Sequence, residues 1–306
     1  MRRVAVAVVV AVLVLVAEAR SAGSGASVAS LTAEQKAALV VVSGLPAPPG
    51  VGGVLVQRWS RSLARPRGAL VFADQEGGDV RAFRELPPAA DARAYRSTAA
   101  AFLGGRAAAR ALRRAGVGID LAPVVDLADG PLGPRHFRRP ELALAFARGL
   151  LRGGAGACAK HFPGLGSAAV STDERPRVPA VIRAREVAAF RAAVRAGVPC
   201  VMTSNAFYGD EPYRASISPS TYRRLRALGF DGVAITDSLS IVRAAPVERW
   251  APQALRAGAD LVLFTSPAFA RRAIRALVPL ARRGELDGAV ARVLRLRRRY
   301  ASGAHS

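Results

Sequence analysis

Lysine is nearly missing from this chain. Its 306 residues carry two, Lys36 and Lys160, against 43 arginines. A lysine in the apolar context of Lys160 is therefore not explained by the general supply of positive charge. Cysteine is equally scarce, with only Cys158 and Cys200. Two cysteines exclude a disulfide-rich scaffold. Each sits inside an apolar run, so both are expected as small buried hydrophobes, with a bridge between them as the alternative. The three histidines, His136, His161 and His305, have no paired spacing, and no metal site is expected. No G-x-G-x-x-G follows the first apolar run, which removes the dinucleotide-binding form of an open sheet. Aromatics make up 6% of the chain and do not interleave with the arginine pairs, so no nucleic-acid module is expected.

What is present begins with a leader. Arg2 and Arg3 precede the apolar run 4–16, which is short for a membrane span, and Ala17-Glu18-Ala19 and Ser21-Ala22-Gly23 follow as two candidate cleavage sites. Residues 1–22 read as a signal peptide and 23–30 as a disordered linker. The body is expected over 31–300, followed by a disordered tail at 301–306. The implied location is secreted or cell-envelope associated, with membrane attachment only if the leader stays uncleaved. The formal charge is +23. Arginine pairs recur along the whole length, which reads as solvated helix faces, with anionic wall polymers as candidate partners. The chain is read as a monomer.

Half the chain is hydrophobic, enough for a sizeable core. Eight short apolar runs fall at 39–42, 53–56, 70–73, 119–125, 157–160, 200–203, 233–236 and 261–264. Runs of this kind suit parallel strands buried on both faces. Between the later runs, helical stretches are expected at 99–115, 141–152, 184–196, 219–228, 252–257 and 268–283, several stopping at glycine. Thr32 and Gln35 form a helix-starting capping pair. Eight such units in about 250 residues predict an α/β fold, a single-domain (β/α)8 TIM-type barrel with irregular first units. An open doubly wound sheet is the second choice.

Active sites of such barrels lie at the C-terminal ends of the strands. Reading those ends gives Asp74-Gln75-Glu76, Asp126 with Arg135-His136-Phe137, Lys160-His161, Ser204-Asn205 and Asp237-Ser238. Any one of them alone is an ordinary hydrogen-bonding residue at a strand end. Their convergence on one rim points to a polar site.

The same residues resemble glycoside hydrolase family 3, especially its single-domain β-N-acetylhexosaminidase branch. The carriers are Asp74-Gln75-Glu76-Gly77-Gly78-Asp79-Val80-Arg81, Leu121-Ala122-Pro123-Val124-Val125-Asp126, Lys160-His161-Phe162-Pro163-Gly164, the segment from Gly229 to Ser240, and Ala257-Gly258-Ala259-Asp260. The resemblance implies a retaining glycosidase that needs no cofactor and takes a carbohydrate substrate. Asp237 would be its nucleophile, and Asp74, Arg135, Lys160 and His161 would hold the sugar hydroxyls. Phe137 and Phe162 read as packing residues.

One loop departs from that pattern. The branch carries an Asp-Ser-His triplet after K-H-F-P-G, and its histidine serves as general acid/base. Here the loop has Leu165 where the branch often has His, then Ser171, Thr172, Asp173 and Glu174. Ser171 stands at the dyad Asp, Asp173 at the catalytic His, and Asn205 where a His is common. Three readings stay open. Asp173, or secondarily Glu174, serves as the acid/base; or catalysis relies on good leaving groups; or the chain binds cell-wall glycan without turnover. The first is ranked ahead.

Overall fold

A computed structural model describes residues 27–127, 130–240 and 246–301. The expected leader, the first half of the expected linker (residues 23–26) and residues 302–306 of the tail lie outside them. Of the linker, Val28–Ser30 form a single 3-10 turn, with Val28 packed against the core.

Eight parallel strands make the sheet: β1 (Val41–Gly44), β2 (Gly53–Val56), β3 (Leu70–Ala73), β4 (Ile119–Asp120), β5 (Gly156–Phe162), β6 (Cys200–Thr203), β7 (Val233–Thr236) and β8 (Val262–Phe264). They are ordered as in the sequence, and β8 pairs back onto β1 with Val41 opposite Val262. Between β7 and β8 the ladder thins to one bridge, Ile235 to Leu261, backed by the Thr236 N–H donating to Leu261 O at 3.0 Å. This closes the predicted barrel. The run expected at 39–42 is shifted in the structure, because Leu39 still belongs to the first helix.

The helices are α1 (Ala33–Leu39), α2 (Thr98–Arg114), α3 (Pro140–Arg152), α4 (Ala184–Arg195), α5 (Pro219–Arg226), α6 (Val247–Ala257), α7 (Pro267–Arg282) and α8 (Asp287–Tyr300). The Thr32–Gln35 capping box starts α1 as expected. No helix separates β1 from β2 or β2 from β3, which is the irregularity anticipated for the first units. Helix α1, which precedes the barrel, packs on α7 instead. Helix α6 begins five residues earlier than expected. Val247, Trp250, Ala251, Ala254 and Leu255 are all buried and recur at helical spacing, so the apolar stripe carries the helix through Pro252 despite the lost N–H.

Strand alternation divides the core into two layers. Phe72, Ile119, Leu121, Cys158, Cys200, Met202, Ile235 and Leu263 fill the barrel, where Val293, Leu296 and Tyr300 of α8 join them. Ala157, Ala159, Val201, Ala234 and Phe264 face outward onto the helices. Cys158 and Cys200 stand directly opposite each other on β5 and β6, Cα atoms 4.3 Å apart, and are joined by a disulfide. This corrects the expectation of two independent buried thiols. The register that makes them neighbours belongs to the sheet, and neither cysteine's local sequence specifies it.

At the opposite end from the site, buried Asp260 of the Ala-Gly-Ala-Asp segment accepts from Arg226 of α5 and Arg292 of α8, both at 2.7 Å, and from the Ala234 N–H at 2.8 Å. It ties β7 to two helices and lies far from the polar rim.

Candidate active site

The strand ends expected to be polar converge on one cavity of about 300 Å³ at the C-terminal mouth of the barrel. Asp74, Arg135, Lys160, His161, Asp173, Asp237 and Ser238 line it, with Leu121, Met202 and Leu263 below.

Lys160 is its hub. Alternation along β5 turns residue 160 inward, as it does Cys158 two residues earlier. The ammonium is nearly fully buried, with Nζ 2.6 Å from Asp74 Oδ1 and 2.7 Å from Glu76 Oε1. Arg135, from a short 3-10 turn at Gly133–Arg135, grips Glu76 with two nitrogens at 2.8 and 2.9 Å. Burial alone would raise Glu76, but Lys160 and Arg135 outweigh it and hold the carboxyl down at about 2. Burial pulls both cations down, but Asp74 and Glu76 raise Lys160, and Glu76 and Asp74 raise Arg135, above their ordinary values, so both stay charged. Glu76 was visible in the sequence as part of the rim but went unassigned. It is the buried acid that fixes both cations, while Asp74 faces the cavity.

A tight hairpin positions Asp74 and Glu76. Gln75–Gly77 pairs antiparallel with Val80–Arg81. Gly77 turns it at a φ of 111°, where a Cβ would fall 2.1 Å from Ala90 O. The Gln75 amide donates inward to Phe83 O and Leu86 O at 2.9 and 3.1 Å, locking the loop from behind.

His161 is set by Asp126. Its Nδ1–H donates to Asp126 Oδ2 at 2.7 Å, and its backbone N–H donates to the same oxygen at 3.0 Å. Asp126 Oδ1 accepts the Leu165 N–H at 2.8 Å, so one carboxylate fixes both the imidazole and the start of the next loop. The peptide between Lys160 and His161 is cis.

Asp237 follows β7. Its Oδ1 accepts the Ser238 N–H at 2.7 Å. Burial pushes its carboxyl above the ordinary range; His161 opposes this and nearby Asp173 adds to it. Asn205 steadies the neighbouring loop, donating to Ser238 O at 2.9 Å while accepting from Ser216 at 2.6 Å. It fills its position as a structural amide. Behind Asp237, the buried Arg214 guanidinium lies 4.4 Å from the Trp250 ring centroid and 5.6 Å from that of Phe207, and it feels the charge of Asp237.

The departing loop is anchored at its base. Glu186 of α4 accepts the Gly166 N–H at 2.8 Å, and a Cβ on Gly166 would come within 2.5 Å of that oxygen. Tyr208 donates to Gly164 O at 2.7 Å. Asp173 is exposed and lines the same cavity as Asp237, close enough for its charge to act on it. Glu174 does not line the cavity; its Oε1 accepts the Ser171 N–H at 3.2 Å, which caps the turn. Arg177, a near neighbour of both acids in the sequence, stacks 4.4 Å over the Phe207 ring. Phe137 and Phe162 are buried, against Tyr95 and Phe190 respectively.

A closed β/α barrel whose C-terminal mouth gathers carboxylates and cations around a cavity of about 300 Å³ has the architecture of an enzyme acting on a small polar substrate. The chain belongs to glycosyl hydrolase family 3: the pattern described as "Glycosyl hydrolase family 3 N terminal domain" matches residues 56–296. A beta-hexosaminidase of Stenotrophomonas maltophilia is 34% identical over 241 residues, covering 70% of this chain and 72% of the relative. A β-N-acetylhexosaminidase structure from Beutenbergia cavernae superposes with a TM-score of 0.74 at 26% identity, covering 88% of this chain and 99% of the other. The structure of a family 3 β-N-acetylglucosaminidase from Paenibacillus gives 0.77 at 26% identity; the match covers 88% of this chain and 63% of that protein. The chain is a glycosidase acting on O-glycosyl bonds.

Proposed function

We propose that the chain removes a terminal β-linked N-acetylglucosamine-type sugar with retention, using Asp237 as nucleophile and Asp173 as acid/base. The observation that carries this reading is the placement of both carboxylates on the wall of one cavity whose other titratable side chains are Asp74, Arg135, Lys160 and His161. The sugar type comes from the relatives' names. In the first step an Asp237 oxygen bonds to the anomeric carbon as the glycosidic bond breaks, and the proton of Asp173 goes to the departing oxygen. Asp173, now a carboxylate, then takes a proton from water, which displaces Asp237 and frees the sugar. Asp74, Lys160, Arg135 and His161 hold the hydroxyls by charge-assisted hydrogen bonds. Glu174, turned onto Ser171, is assigned no role in proton transfer.

The expected outcome is that Asp237→Ala abolishes turnover of an aryl N-acetyl-β-glucosaminide with the fold intact. Asp173→Ala should lose about 10²–10⁴-fold on poor leaving groups and much less on activated ones, with azide restoring rate. Equal rates for wild type and Asp173→Ala on a poor leaving group would remove Asp173 from the mechanism. A saturable sugar affinity with no turnover in wild type would leave a binding protein in its place.

We further read the chain as an exported monomer acting on cell-wall glycan, released by cleavage of the leader over residues 1–22. The disulfide of Cys158 and Cys200 supports this, since such bonds persist in oxidising compartments.

A further inference from the structure

Beneath the cavity lies a carboxyl that the chemistry above does not use. Asp120 ends β4 and is fully buried. Its Oδ1 accepts the Gln75 N–H at 3.0 Å, and its Oδ2 has no hydrogen-bond partner among the described residues. The charged groups that act on it are Lys160 from β5 and Asp74 and Glu76 from the hairpin after β3, with Arg135 standing beyond Glu76. Lys160 already contacts both Asp74 and Glu76, and Arg135 takes Glu76 with two nitrogens. Two cations therefore serve two carboxylates. A third negative charge, wholly buried and touching no cation, is strongly disfavoured. Burial is the main cause that pushes Asp120 up to about 8; the Gln75 amide and Lys160 pull it back, and Asp74 and Glu76 add to the rise.

We propose that Asp120 is a positioning residue for the sugar-holding cluster: as an uncharged acid it pins the 74–76 turn through the Gln75 amide and leaves Lys160 committed to Asp74 and Glu76. Once ionised, it competes for the Lys160 ammonium and repels the two acids, which loosens the grip on the sugar. The proton lost goes to solvent, and no bond to substrate is involved. Asp120 acts through Gln75 and Lys160 and touches no reacting atom. The inference rests on the reading that Asp74, Lys160 and Arg135 hold the sugar.

The test compares wild type, Asp120→Asn, Asp120→Ala and Asp74→Ala in the whole protein, from about pH 6 to about pH 9.5. It reads KM and kcat on an activated aryl N-acetyl-β-glucosaminide, and calorimetric affinity for methyl N-acetyl-β-glucosaminide. In wild type, KM and Kd should rise together above about pH 8, approaching tenfold per pH unit. Asp120→Asn, which keeps the amide contact and cannot ionise, should lack that rise. Asp120→Ala should raise KM about tenfold at every pH through loss of the Gln75 contact, and Asp120→Asn should not share this defect near neutrality. An alkaline rise retained in Asp120→Asn overturns the inference, as does an Asp120→Ala variant that binds like Asp120→Asn at neutral pH. If Asp74→Ala binds sugar as tightly as wild type, the sugar-holding reading falls and the inference with it. If Asp74→Ala loses binding while Asp120→Asn keeps the rise, only the inference falls.

Discussion

Asp237 illustrates how much of a site is set by neighbours rather than identity. Its carboxyl is raised by burial, lowered by His161 and raised again by Asp173 on the same cavity wall. As the proposed nucleophile, Asp237 must be ionised, so the raised value would move the acid limb of its reactivity upward in pH. Neutralising Asp173 removes one raising cause, and the limb in Asp173→Asn should therefore lie at lower pH than in wild type. The measurement is the rate of covalent labelling by a 2-deoxy-2-fluoro glycoside bearing an activated leaving group, followed across pH. A limb that does not move would mean that Asp173 is too far away for Asp237 to feel its charge. At this scale the sequence was a good guide to which residues reach the cavity, because strand ends and the spacing of Lys160-His161 locate them without a structure. It was a poor guide to their pairing. Glu76 meets Arg135 from 59 residues further along the chain, and nothing local to either residue foretells the contact.

Elements show a similar division. Eight apolar runs were legible because parallel strands buried on both faces need them. Pro252 carries the sequence signal of a helix start, whereas the buried stripe from Val247 to Leu255 begins helix α6 five residues earlier. The disulfide is the clearest loss. Alternation from Lys160 already places Cys158 inside the barrel, but joining it to Cys200 requires the β5–β6 register. That bond closes a loop with a sequence separation of 42 residues between adjacent strands just below Lys160. Removing it, by reductant or by Cys158→Ala with Cys200→Ala, should cost about 2–4 kcal/mol, read as a drop in Tm. A Tm unchanged by either treatment would show that the bridge adds nothing to the packed barrel interior. Thiol trapping in protein from producing cells should find both cysteines oxidised if the chain is exported, and free thiols would argue against export.

Over the whole molecule, charge and closure are separate matters. The +23 charge is spread along the chain rather than gathered at the cavity, whose wall carries Asp74, Asp173 and Asp237 alongside Arg135, Lys160 and His161. Attraction to anionic wall polymer would therefore be a diffuse property of the arginine-rich surface. Protein mixed with washed cell walls should sediment with them at low ionic strength and be released as salt shrinks the Debye length to about 3 Å near 1 M, with its turnover of a small aryl glycoside little affected. Retention undiminished by salt would point to a specific contact instead. In the same envelope fraction, an intact mass starting near residue 20–23 would mark the leader as cleaved, and a full-length mass would leave it as an anchor.

Helix α8 gives the barrel a built-in order of completion. Val293, Leu296 and Tyr300 reach up among the interior side chains of the strands, and the Arg113 guanidinium holds the Tyr300 carbonyl at 2.6 Å. A nascent chain halted before Asp287 would own all eight strands and every residue of the site, yet water could enter from below. The residues of the cavity precede helix α8 in the chain, so a product truncated before it would keep the cavity wall and lose the α8 side chains from the barrel interior. Only a chain that includes helix α8 brings Val293, Leu296 and Tyr300 to the barrel interior.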